Sequence, residues 1–325
     1  MNLSSSCRRI RHGILAGVAT VVLMSPVLHA EEGAVGHYVP GATSSFIDAL
    51  PGKPAWVVAD AFTYYDGQAS VDRPLAIAGR VTLDAQATLY ANTVFGIYQT
   101  PLELFGGNYA VAAAVPWVSL EVTGTVVPPV GPSFSRTDSA DGIGDVTFYP
   151  FMLGWTHGPD IKYDVRLGVY APTGDFDVGE IANAGRNHWT FEPSASFSWL
   201  STKIGTEGTV FAGFDINTEN PDTDYTSGAS FHLEATLAQH LPIGKLGIFG
   251  IGANAFYYQQ ISGDHGTGAE LGEFQGRTVG VGPVVSFVRK IGSTELAAEL
   301  KWLPELEVEK RMKGDYVWFK IGLVF

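Results

Sequence analysis

Cysteine is all but missing from this sequence. The single one, Cys7, lies inside a segment that reads as an export signal, so the rest of the chain has none. That excludes disulfides, thiolate catalysis and cysteine-ligated zinc together. Charge is scarce too, at 16% of residues where a soluble domain carries roughly 25%. No run of 18 or more apolar residues follows residue 30, which excludes a transmembrane helix there. Clustered Lys and Arg are also lacking. Without the first thirty residues, 17 basic side chains stand against 33 acidic ones, a net charge of −16 that would repel a phosphate backbone. No nucleic-acid partner is expected.

Apolar side chains make up 46% of the 325 residues, glycine numbers 39 and aromatics reach 12%. A chain this apolar is not disordered over most of its length. Arg8, Arg9 and Arg11 followed by the apolar stretch from Gly13 to Leu23, with Pro26 and Ala30 marking a cleavage site, predict a secretory signal peptide over residues 1–30.

Beyond the signal, the period is two nearly everywhere. Phe231, Leu233, Ala235 and Leu237 alternate with His232, Glu234, Thr236 and His240. The same pattern recurs over 191–199 and 163–171 and describes strands between an apolar and a wet surface. Alternation with turn residues predicts twelve strands, at 54–65, 86–100, 107–127, 143–156, 160–173, 188–200, 205–217, 225–241, 245–261, 277–290, 294–310 and 315–325. Their number is even, as in single-chain bacterial barrels. Short connections alternate with long ones (66–85, 128–142, 174–187, 218–224 and 262–276), apart from the short 311–314. The long ones are acidic and are expected to face outward. Aromatics near strand ends, among them Trp56, Tyr64, Tyr65, Trp117, Tyr257, Tyr258 and Trp318, suit interfacial girdles. Residues 31–52 lack alternation and contain four glycines and two prolines. They are expected to form an irregular segment or plug at the barrel mouth, leaving 53–325 as the barrel.

Val317, Phe319, Ile321, Leu323 and Phe325 occupy every second position to the end, which resembles the C-terminal signature of bacterial outer-membrane barrels. On that resemblance, Phe319, Ile321, Leu323 and Phe325 form the signal read by the barrel-assembly machinery. Four further strings carry a second resemblance: Gly36-His37-Tyr38-Val39-Pro40-Gly41, Gly142-Ile143-Gly144-Asp145-Val146, Pro172-Thr173-Gly174-Asp175-Phe176 and Asp215-Ile216-Asn217-Thr218-Glu219-Asn220-Pro221. Together they resemble the outer-membrane family labelled "putative MetA-pathway of phenol degradation". The resemblance implies an outer-membrane location and a transport role linked to aromatic catabolism, with the solute open. It carries over no set of binding residues.

If Phe231 and its partners face lipid, parity sends Asp164, Arg166, Glu192, Asp215, His232, Glu234, His240, Glu299, Lys301 and Lys320 into the lumen. Arg166 with Glu192 and Glu299 with Lys320 are candidate cross-strand pairs. The set reads either as a polar solute path or as a salt-bridge ladder filling a narrow lumen. Tyr90, Tyr98, Tyr170 and Phe256 are apolar lumen candidates that suit a hydrophobic or aromatic solute. Twelve strands enclose a modest space, so a narrow or plugged pore is expected rather than a wide porin.

No enzymatic role is expected. The pair closest to a barrel-surface hydrolase, Ser230 and His232, is read as pointing to opposite faces, too far apart for nucleophile and base. His188 and His265 are read as solvated loop histidines, and neither metal nor cofactor is expected. The expected protein is thus an all-β, twelve-stranded outer-membrane barrel. Its partners are outer-membrane lipid, the assembly machinery and a small hydrophobic or aromatic solute; the alternative is a structural or adhesion barrel with acidic outer loops and a closed lumen.

Overall fold

The computed structural model describes residues 36–69, 75–77, 80–128, 130–269 and 275–325. The expected signal peptide lies outside them. Among the described residues the alternating segments form β1 (Ala55–Gln68), β2 (Leu75–Ile77), β3 (Arg80–Leu104), β4 (Gly107–Val127), β5 (Phe134–Ile143), β6 (Val146–His157), β7 (Ile161–Ala171), β8 (Thr190–Leu200), β9 (Thr206–Asn217), β10 (Ser230–Pro242), β11 (Ile248–Gln260), β12 (Arg277–Ile291), β13 (Thr294–Glu309) and β14 (Lys313–Val324). Every pairing is antiparallel. From β1 the order runs through β14 down to β6, then β4 and β3, and β3 returns to β1, so twelve strands close into a barrel. Closure is what lets a sheet live in lipid, because an open edge there would leave backbone groups without partners.

The two additional strands fall where the sequence predicts outer loops. β2 pairs with the first residues of β3, which starts at Arg80 rather than 86. β5 pairs with one half of β4, from Trp117 opposite Ile143 to Val126 opposite Phe134. Alternation misses β5 because it is polar, with Arg136, Asp138 and Asp141 within ten residues; backbone bonds to β4 hold it, joined by the Thr123–Thr137 hydroxyl contact at 2.8 Å and by Asp138, which accepts from the Ile181 amide at 2.8 Å. β10 begins at Ser230 instead of 225; Tyr225 and Thr226 make single bridges to Asn220 and His265.

Trp56 and Phe325 exchange backbone hydrogen bonds of 3.2 and 2.9 Å at what we call the terminal end of the barrel. Turns at this end are short, and the long loops gather at the distal end. Gly205, at φ +72°, shows why glycine is needed in such a turn: an added Cβ would also stand 2.2 Å from the His240 carbonyl oxygen.

Parity sorts the wall as expected. Phe319, Ile321, Leu323 and Phe325 point outward, while the intervening Trp318 and Lys320 are buried inside. Outer aromatics stack in pairs, Trp56 on Tyr98 and Trp155 on Tyr163. Tyr65, Tyr258 and Trp318 are not in the girdle but in the lumen. Adjacent residues on a strand face opposite sides, so only one member of Tyr64-Tyr65 or Tyr257-Tyr258 can face lipid.

One outward position breaks the apolar band. Asp60 lies on the outer face of β1, midway between Trp56 and Tyr64 and opposite Ile321 and Val94. Its only hydrogen-bonding side chain among the described residues is Asn92, whose Nδ2 donates to Oδ1 at 3.0 Å. A carboxylate at that depth opposes insertion. Asp60→Val is therefore expected to raise the unfolding free energy by about 1 kcal/mol, and Leu233→Lys, on the lipid face of β10, to lower it by roughly 2–4 kcal/mol. Urea titrations of the barrel in lipid vesicles measure both.

Candidate functional site

Residues 36–52 run lengthwise through the lumen, from the distal to the terminal end. At the distal end His37 contacts Thr190 Oγ1 through Nδ1 at 2.7 Å and Asp145 Oδ2 through Nε2 at 2.9 Å. Next, the Tyr38 hydroxyl donates to Glu234 Oε1 at 2.8 Å, and the Gly41 amide donates to the same oxygen at 3.0 Å. Trp318 Nε1 donates to the Pro40 carbonyl at 2.7 Å. Gly41, at φ +93°, leaves no room for a side chain, since a Cβ would lie 2.6 Å from both Leu303 and Trp318. Further along, the Phe46 amide donates to Glu207 Oε1 at 2.7 Å, in a 3₁₀ turn at Phe46–Asp48. Asp48 accepts from the Ser44 amide at 2.8 Å and pairs with Lys320 Nζ at 2.6 Å. Finally, the Gly52 amide donates to Gln99 Oε1 at 3.1 Å.

The wall answers this segment with buried charge. Lys301 Nζ reaches Glu299 Oε1 at 2.9 Å, Ser44 Oγ at 2.8 Å and the Gly41 carbonyl at 3.0 Å. Arg166 donates to Asp164 at 2.5 and 2.9 Å and to the Asp48 carbonyl at 2.6 Å. His240 Nε2 lies 2.8 Å from Glu207 Oε2. Buried charges of this kind persist only when paired, and the segment supplies many of the partners. A cavity beside Arg166, Ser44 and Phe211 holds about 10 Å³, room for one water.

All ten ionisable lumen candidates, Asp164, Arg166, Glu192, Asp215, His232, Glu234, His240, Glu299, Lys301 and Lys320, are buried inside the barrel. Tyr170 joins them, its hydroxyl donating to Glu192 Oε2 at 2.5 Å, and Phe256 is buried there too. Tyr90 and Tyr98 are corrections. Tyr98 stacks on the outward Trp56, and Tyr90 packs against the outward Phe62 and Tyr64. Their register partners on β1, Tyr64 and Trp56, have the parity of the lipid face. Arg166 bonds Asp164 on its own strand, while Glu192 stands opposite Gly168, so the predicted Arg166–Glu192 pair does not form. Glu299 and Lys320 do approach, at 3.9 Å.

Ser230 and His232 share the lumenal face, since residues two apart on a strand always do. Ser230 Oγ donates to Asp215 Oδ2 at 2.9 Å, and neither His232 ring nitrogen has a hydrogen-bond partner, so no nucleophile–base pair is made. His188 is not solvated but buried. Burial first, then the nearby His37 and Arg186, push its imidazole down to about 3.

The sequence missed the inner segment's own contributions, above all His37, Tyr38 and Asp48. A usable signal was present in the four strings that carry the family resemblance. Asp145 accepts from the Thr173 and Gly174 amides at 2.9 and 3.0 Å, from the Arg186 amide at 2.7 Å and from His37. His37 also touches Thr190 Oγ1, which donates to Asn217 Oδ1 at 2.5 Å. All four strings thus meet at the distal end around His37.

Lys301 gives the energetic test of the network. Lys301→Met removes the cation that bonds Glu299, Ser44 and the Gly41 carbonyl and is expected to cost roughly 3–5 kcal/mol of unfolding free energy. Arg277→Met, which removes the exposed pair with Glu309, should cost less than about 1 kcal/mol in the same denaturation assay.

Comparison with known proteins agrees with this architecture. The family model described as "Putative MetA-pathway of phenol degradation" matches residues 66–321. Among solved structures, the COG4313 outer membrane channel from Pseudomonas putida F1 superposes with a TM-score of 0.64 at 13% identity, covering 89% of this chain and 100% of that one. The beta domain of the Bordetella autotransporter Brka gives 0.46 at 11% identity, with 84% and 99% covered. Pseudomonas putida OprB gives 0.30 at 8%, with 83% and 92% covered. No curated protein matches the chain. A closed, lipid-girdled barrel with the fold of an outer-membrane channel is an outer-membrane protein, and this chain belongs to the family "Putative MetA-pathway of phenol degradation".

Proposed function

We propose that the barrel passes small aromatic solutes of the phenol type across the outer membrane, with residues 36–52 as its resting plug and the terminal end facing the periplasm. The observation that carries this reading is Tyr38. Its side chain is a phenol docked in the lumen. The ring stacks on His232 with centroids 3.9 Å apart and planes 12° apart, with Tyr258 beyond at 6.0 Å and 4°, and the hydroxyl donates to the buried Glu234. A free phenol has the same face and the same donor, so a lumen that receives Tyr38 can receive the solute once the segment withdraws. Other lumenal hydroxyls repeat the motif, Tyr170 on Glu192 and Tyr65 on Glu305 at 3.3 Å. The family's link to phenol degradation supports the same class of solute. No chemical step is assigned to the barrel.

The filled lumen favours a second reading, a structural or adhesion barrel that never opens. Two measurements separate them. The chain lacking residues 36–52 should conduct ions in planar bilayers several-fold better than the full chain, and phenol should block that current more strongly than cyclohexanol. A folded but non-conducting truncated barrel would leave only the closed reading. Tyr38→Ala should cost roughly 3 kcal/mol or more by removing a buried ring. Added phenol should restore part of the lost melting temperature, cyclohexanol less, and the recovery should vanish when Glu234→Gln is combined with it.

A further inference from the structure

The geometry points to a divalent-cation site in the lumen wall, formed by Glu192 on β8, Asp215 on β9 and His232 on β10. These three residues sit side by side on neighbouring strands and are buried to 3%, 3% and 0% exposure. His232 Nε2 lies 3.6 Å from Glu192 Oε1 and 3.7 Å from Asp215 Oδ1, and one ligand atom from each residue falls within 4.8 Å of the others. Those separations are too long for hydrogen bonds. The two distances from His232 are close to the spacing of about 3.3–3.6 Å between ligands that each stand 2.0–2.2 Å from a tetrahedral zinc ion.

The remaining atoms of the cluster are arranged as a support. Glu192 Oε2 is held by the Tyr170 hydroxyl at 2.5 Å and Asp215 Oδ2 by the Ser230 hydroxyl at 2.9 Å. Each carboxylate therefore has one oxygen fixed from outside. Among the described residues Asp215 Oδ1 and both ring nitrogens of His232 have no hydrogen-bond partner, and neither does the Oγ of Ser194, which stands opposite Gly213 on β9. Outer hydroxyls that orient carboxylates toward a common point are the usual frame of a metal site. Gly213 keeps the ring in place, because a Cβ there would come within 2.5 Å of His232 Cε1.

Charge argues the same way. Among the described residues nine carboxylates are buried but only four Lys or Arg; Arg166, Lys301 and Lys320 pair with Asp164, Glu299 and Asp48, and Asp215 Oδ1 has no hydrogen-bond partner. A divalent ion would neutralise Glu192 and Asp215 and leave His232 as a neutral ligand. One imidazole with two carboxylates suits a borderline first-row ion, Zn²⁺ foremost. Tyr38 covers the face of the His232 ring, leaving Nε2 in the ring plane free to bind. An ion there would stiffen the wall against which the inner segment packs.

The test uses the tag-free, full-length barrel in detergent, equilibrated with Zn²⁺, dialysed and assayed by mass spectrometry for bound metal. Wild type should retain about one zinc per chain. His232→Gln and Asp215→Asn should each retain less than about a tenth as much, and Tyr170→Phe, which keeps all ligands, should bind about 10–100-fold more weakly. Zn²⁺ should raise the melting temperature of wild type and leave His232→Gln unmoved. Absence of zinc from folded wild type, or equal zinc in wild type and His232→Gln, overturns the site. The readout does not depend on transport, so a barrel that conducts nothing still answers it.

Discussion

A barrel in lipid has no water to rescue an unpaired backbone group, and this constraint organises everything else in the molecule. It forces the sheet to close, from β1 through β14 and back through β3. Closure then commits every second side chain to the inside. The usual arrangement of a soluble protein is inverted: Phe319, Ile321 and Leu323 face lipid, while Glu234, Lys301 and Glu192 form the interior.

A polar interior of that kind cannot be left unfilled at low cost. Lys301, Arg166, Lys320, Glu207 and Glu234 each take a partner from residues 41–48. The inner segment is irregular in sequence for the same reason. A helix would spend its amide and carbonyl groups on itself and a strand would spend them on neighbouring strands, whereas this stretch presents them to wall side chains, as the Gly41 and Phe46 amides do to Glu234 and Glu207. Plug and lumen are one hydrogen-bonding system, and any opening of the barrel must exchange these partners for water or solute. The distal end follows the same logic, with Asp145 gathering three amides from the two ends of the β7–β8 loop and the ring of His37 into one buried carboxylate.

Much of this was legible in the chain. Period two, the aromatic end and the even strand number were enough for a closed twelve-stranded wall, and parity alone sent ten ionisable residues to the lumen. Parity failed for Ser230 and His232, which two positions apart share a face, and where its frame was set wrongly. Tyr90 and Tyr98 belong to β3, whose phase is set by pairing with β1, and Tyr64 and Trp56 opposite them face lipid. β5 escaped notice because a strand above the apolar band has no reason to alternate.

By itself the sequence determined which side of most strands meets lipid, β3 excepted, because a period of two needs only local order along the chain. It could not determine which charges meet. Glu192, Asp215 and His232 are separated by 17 to 40 residues, and their inner atoms come together only because β8, β9 and β10 pair in one register. Nor could it show that Tyr38 lies against His232, since that contact bridges 194 positions and depends on a segment with no periodicity to follow. Partners of buried polar groups are chosen by long-range geometry, and only the closed barrel supplies it.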